Sequence, residues 1–218
     1  MLVNLGYFQL PKLIILTGPQ GSGNHLFSKI LALNPVVYGW EELLTEYWIG
    51  HDKEPFSKMW QEPELLHDFN WGFCEYYVTS ISCPYALNGE YVIPDYAKFI
   101  DIASKYADIK IAIISRDINI VRSQQERVRD KVTFPEFYKN LNLLTRYPHM
   151  FVNHEAVNMY GHWYISYFFK ELGLPDQYII SRANAEEILV QNANKKYIKD
   201  AQEQLLDMLA KKASEKWR

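Results

Sequence analysis

From residue 18 the chain reads Gly18-Pro19-Gln20-Gly21-Ser22-Gly23-Asn24-His25, a glycine-rich turn of the kind whose backbone N–H groups converge on a phosphate. Its flanks give that pattern meaning. The run Leu13 to Thr17 reads as a buried strand, and after the turn Leu26, Phe27, Ile30, Leu31 and Leu33 recur at helical spacing up to Asn34-Pro35. A helix that begins at such a turn points its unpaired N–H groups and the positive end of its dipole at the same spot. Gly18 and Gly23 match the first six positions of G-x-x-x-x-G-K-[ST]. The last two positions hold Asn24 and His25 instead, so neither the lysine for the β/γ-phosphates nor the hydroxyl that holds Mg²⁺ is present. The predicted chemistry is phosphate binding without a metal, against the plainer alternative that the glycines only permit a tight strand-to-helix turn.

The elements around this loop set the expected architecture. Val36 to Tyr38 and Tyr91 to Ile93 read as strands. Lys98 to Ala107 reads as a helix running into the apolar strand Ile109 to Ile114, which ends at a second strand-to-helix turn, Ser115-Arg116-Asp117. Helices are expected over 119–129, 134–147 and 156–172, a strand at 178–180 and a terminal amphipathic helix within 195–218. Alternating strands and helices predict an α/β fold, three layers with a mostly parallel central sheet of about five strands. The segment 47–89, rich in Trp, Tyr, Pro and His, reads as an insertion over the carboxyl edge of the sheet, and the part from about 134 as helical. A length of 218 residues predicts one domain over 1–218.

Lys and Arg total 23 against 26 Asp and Glu, a balance that disfavours a nucleic-acid partner. No run approaches a membrane span and no basic segment precedes an apolar one, so a cytoplasmic protein is expected. Cys74 and Cys83 read as reduced structural thiols. Aromatic residues make up 15%, enough to suggest that some of them line a pocket or an interface, as Trp40, Trp48, Trp60 and Trp71 do if they are not core. His149, His154 and His162 are spaced 5 and 8 apart, which does not set them on one helical face; they read as separate histidines, and no metal site is expected.

Ser22-Gly23-Asn24-His25-Leu26 resembles the 5′-phosphosulfate loop of sulfotransferases, a family that shares the P-loop core without its Lys-Ser/Thr ending. Ile109 to Ser123, IKIAIISRDINIVRS, is similar to the family's strand, R-D/N turn and serine-bearing helix. Leu33-Asn34-Pro35-Val36-Val37 followed by Glu41-Glu42 resembles its L-x-H-P-x-[VI] strand and the acidic residue beyond. The resemblance covers about residues 12–129. It implies that Gln20, Gly21, Ser22, Gly23, Asn24, His25 and Leu26 cradle the 5′ end of 3′-phosphoadenosine 5′-phosphosulfate (PAPS), and that Arg116 and Ser123 hold the 3′-phosphate. The interval from Arg116 to Ser123 is one residue shorter than the family's, and Arg127, i+4 from Ser123, is a further candidate for that phosphate.

The resemblance implies sulfuryl transfer to a hydroxyl or amine on a small-molecule or glycan acceptor, with Glu42 as base and Glu41 as second candidate. Where many members carry Lys or Arg before the Ser-Gly of the loop, this chain has Gly21; His25 is the candidate for the missing donor. A diverged nucleotide kinase and a nucleotide-binding protein without transfer are the alternatives. Either a monomer or a homodimer fits the sequence.

Overall fold

The computed structural model describes residues 10–32, 34, 36–38, 54–87, 89–175 and 206. In chain order its elements begin with β1 (Lys12–Pro19), α1 (Asn24–Ala32), β2 (Val37–Tyr38) and α2 (Ser57–Gln61), followed by a 3₁₀ turn at Pro63–His67. Next come β3 (Tyr76–Cys83), β4 (Tyr85–Leu87), β5 (Glu90–Val92), α3 (Tyr96–Ala103) and β6 (Asp108–Ser115). The described part closes with α4 (Ile118–Arg129), α5 (Phe134–Leu144), β7 (His149–Asn153), α6 (His154–Tyr160) and α7 (His162–Leu172).

Five strands form one sheet in the order β2-β3-β1-β6-β7, and every pairing in it is parallel. Side chains alternate between the two faces of a strand, and both faces here are covered, which is why β1 and β6 read as continuous apolar runs. On one face Ile14, Leu16, Val78, Ala112, Ile114 and Val152 pack with Phe27 and Ile30 of α1 and Phe168 and Phe169 of α7. On the other, Leu13, Ile15, Tyr77, Ile111 and Ile113 pack with Phe99 and Ile100 of α3, Phe137 and Leu144 of α5, and Trp60 of α2. The result is the expected three-layer α/β/α arrangement. Asp95 and Asp117 start α3 and α4 by accepting backbone N–H bonds from Lys98, and from Asn119 and Ile120, which satisfies donors that a helix start leaves open.

Three assignments made from the sequence change. The segment 47–89 is not wholly an insertion, because Tyr76–Cys83 is the strand that pairs with β1 along eight residues. Its polar residues hid it: Thr79 Oγ1 accepts from Trp60 Nε1 at 2.8 Å and Ser82 Oγ accepts from Asn24 Nδ2 at 2.9 Å, so hydroxyls sit where a buried strand normally shows methyl groups. The strand at Tyr91 belongs instead to a separate antiparallel hairpin of β4 and β5. The part after 134 is not purely helical. It contributes β7 at the sheet edge, and the helix expected over 156–172 is two helices broken at Gly161, whose backbone (φ 54°, ψ −129°) suits glycine alone. The strand expected at 178–180 and the terminal helix within 195–218 lie outside the described residues.

From β1 the chain crosses to β2 and β3 on one side, while β6 and β7 lie on the other. The carboxyl ends of β1 and β6 therefore flank the point where the strand order reverses, the position at which open α/β sheets hold their ligands. Both turns singled out in the sequence, 18–25 and 115–117, sit there.

Candidate anion site at the glycine loop

The loop is held from beneath by its own side chains. Ser22 Oγ donates to Asn24 Oδ1 at 3.2 Å, Asn24 Nδ2 donates to Ser82 Oγ at 2.9 Å, and both Ser22 and Asn24 are buried. Asn24 thus fills the place of a P-loop lysine with a structural tie to β3. The hydrogen bond from Ser22 N–H to Pro19 O, at 3.0 Å, closes the turn. The helix start that follows leaves N–H groups without intrahelical partners, facing the mouth of the loop.

A second set of bonds clamps the loop from the α4 side. Gln125 Nε2 donates to Gln20 O at 2.7 Å, while Gln125 Oε1 accepts the N–H groups of Thr133 and Phe134 at 2.7 and 3.1 Å, at the start of α5. Thr133 Oγ1 donates to Gln20 Oε1 at 3.1 Å. Gln20 and Gln125 are buried, so this network makes the path of the loop depend on both helices.

Arg116 joins the two turns. Its Nη1 donates to Gly21 O at 2.8 Å and to Gln124 Oε1 at 3.1 Å. Its Nε lies 3.9 Å from Glu155 Oε1, whose oxygen also accepts the Asp117 N–H at 3.2 Å. A guanidinium carries five donors in a planar fork, a geometry that suits phosphate oxygens. The same contacts explain the glycine at position 21. With φ at +84°, the backbone there is one that side-chain-bearing residues rarely adopt, and a Cβ would fall 2.9 Å from Gln124 Oε1, which would have to move. The cation reaches the loop from the β6–α4 turn instead.

His25, in the first turn of α1, has its Nε2 3.2 Å from Glu54 Oε1. Glu54 is buried at 4% exposure and His25 is partly exposed, so the carboxylate fixes a ring at the edge of the loop. Leu26 packs on the core beneath α1. Ser123 and Arg127 are both exposed, on the side of α4 opposite its buried residues Val121 and Gln125. Glu41 and Glu42 lie outside the described residues, as do Trp40 and Trp48. Trp60 is core, and Trp71 stacks on Tyr106. No group of three or more potential metal ligands occurs among the described residues.

His154, beside the loop, ionises well away from the ordinary range of a histidine. Burial first, then the Arg116 charge, push it down to about 4, while Glu155 opposes them. Between roughly pH 6.5 and 4 the unfolded chain therefore takes up a proton that the folded chain refuses, and stability falls as pH falls through that window. Urea unfolding at pH 7 and at pH 4 is expected to show about 2 kcal/mol more acid destabilisation in the wild type than in His154→Gln. Equal losses would remove His154 as the cause.

Sequence reasoning missed Gln124, Gln125, Glu155 and Glu54, and took His154 only as an isolated histidine. Gln124 and Gln125 lie in a polar helix without any motif; the one usable signal is that Gln125 stands i+4 from Val121, on the buried side of α4. His154 becomes conspicuous only once β7 is recognised as a strand, since it then stands at a strand's carboxyl end.

Fold and site together define a three-layer α/β/α protein with a glycine loop and an arginine at the reversal point of a parallel sheet. No protein-family model matches the chain, and no curated protein matches it. Among the described residues no helix is long and apolar enough to cross a membrane.

Proposed function

We propose that the chain is a sulfotransferase that uses PAPS as sulfuryl donor. The observation that supports this reading best is the Arg116 bond to Gly21 O, which couples a glycine loop to an arginine on the adjacent strand end, the pair of turns that sulfotransferases use for the two ends of this nucleotide. The loop amides then hold the 5′-phosphosulfate and Arg116 faces the 3′-phosphate.

In the transfer, an acceptor oxygen or nitrogen attacks sulfur as the bond from sulfur to the 5′-phosphate oxygen breaks, and the acceptor proton passes to a base. Adenosine 3′,5′-bisphosphate leaves as an already stable anion, so positioning and hydrogen-bond donors carry most of the catalysis and no metal is needed. Glu42, with Glu41 second, is the base in this reading. His25, oriented by Glu54, supplies the donor that related loops carry on Lys or Arg.

Incubation with donor labelled on sulfur, in the presence of a chelator, is expected to label a panel of phenol, amine and sugar acceptors and release the bisphosphate. Magnesium-dependent phosphoryl transfer from ATP with no sulfuryl transfer would replace this reading with a nucleotide kinase. A second reading, donor binding without transfer, draws on Gly21 and on the commitment of Ser22 and Asn24 to structural bonds. It predicts tight bisphosphate binding and no labelled product.

A further inference from the structure

His154 closes the side of the glycine loop nearest β7. It opens α6, which Asn153 starts by accepting the Ala156 N–H at 2.7 Å, and its ring lies directly against Gly23. A Cβ on Gly23, whose φ is +114°, would fall 2.5 Å from His154 Cδ2 and 3.4 Å from Nε2. The absence of a side chain at position 23 is what lets the imidazole reach the loop. Any group replacing that hydrogen would push the ring out or the loop down.

The far edge of the ring settles its proton. Asn158 Nδ2 lies 3.1 Å from His154 Nδ1 and donates to the His154 carbonyl oxygen at 3.0 Å. The carbonyl fixes the amide with its NH₂ group towards the histidine, and an NH₂ group can only donate, so Nδ1 is the acceptor and the proton of the neutral ring sits on Nε2. That nitrogen is the one beside the loop. Arg116 on the β6–α4 turn and Glu155 on α6 are the charged groups around it.

We infer that His154 is a ligand-contacting residue, its Nε2–H donating to an oxygen of the phosphate group that the glycine loop holds. The inference rests on the phosphate-binding reading of the loop, and adds to it a neutral donor from a third strand end, beside the one that reading takes from His25. It also divides the labour: His154 beside Gly23 serves the 5′ end of the nucleotide, and Arg116 the 3′ end. Loss of His154 then weakens 5′-AMP and adenosine 3′,5′-bisphosphate by the same factor, whereas loss of Arg116 falls chiefly on the bisphosphate.

The test titrates both nucleotides into wild type, His154→Gln and His154→Phe by calorimetry, with thermal unfolding as a check on folding. Glutamine keeps an N–H near the Nε2 position and is expected to bind within roughly threefold of wild type, while phenylalanine is expected to lose roughly tenfold or more for both ligands. In parallel, the imidazole nitrogen resonances of wild-type His154 are followed as bisphosphate is added, with Nε2 expected to shift and its proton to exchange more slowly. A folded phenylalanine variant that binds as well as wild type, or an unmoved Nε2 signal at saturation, overturns the inference and leaves the loop reading intact. Wild-type protein that binds neither nucleotide overturns both.

Discussion

Replacing Arg116 with alanine is expected to weaken binding of adenosine 3′,5′-bisphosphate by about 1.5–3 kcal/mol, the worth of hydrogen bonds to a charged group. Two losses contribute. On the proposed reading the guanidinium no longer faces the 3′-phosphate, and Gly21 O and Gln124 Oε1 lose the donor that ties the loop to the β6–α4 turn. Arg116→Lys separates them, since an ammonium retains the charge but not the fork; the lysine variant should recover only part of the affinity. Calorimetric titration of both variants reads the effect directly, and affinity unchanged in the alanine variant would remove Arg116 from the site.

Trp60→Ala is expected to cost the fold about 3–5 kcal/mol, at the upper end for a single side chain. Trp60 is 3% exposed, stacks on Phe99 with ring centroids 3.7 Å apart and donates from Nε1 to Thr79 Oγ1 at 2.8 Å. Its removal leaves a cavity between α2, α3 and β3 and takes from the Thr79 hydroxyl the donor it accepts from. Trp60 also anchors the segment that carries Glu54, and Thr79 Oγ1 donates in turn to Pro55 O at 3.4 Å. Denaturant unfolding should show the loss, and a change below 1 kcal/mol would mean that the α2 segment does not pack as described.

What the sequence made legible follows from how each element encodes itself. The strands β1 and β6, buried on both faces, announced themselves as apolar runs, and the two turns at their ends were visible because glycine, and an arginine flanked by Ser115 and Asp117, are unusual punctuation. The strand β3 was hidden because its polar residues Thr79 and Ser82 are satisfied by Trp60 and Asn24, partners distant in sequence. The network of Gln20, Gln125 and Thr133 was hidden for the same reason, its members being 105 and 113 residues apart. Ser123 rests on the resemblance alone: α4 presents Gln124 to Arg116, and Ser123 is exposed on the same helix.

The most direct test of the central claim, that the glycine loop and Arg116 together read a nucleotide carrying two separate phosphates, is one calorimetric comparison. The purified protein is titrated, without divalent metal, with adenosine 3′,5′-bisphosphate and with 5′-AMP, and in a third cell with ATP and magnesium. The account predicts metal-independent binding of the bisphosphate at least roughly tenfold tighter than of 5′-AMP, the worth of one charge-assisted phosphate contact. Equal affinities for the two monoadenosine ligands, or a preference for ATP with magnesium, would contradict it.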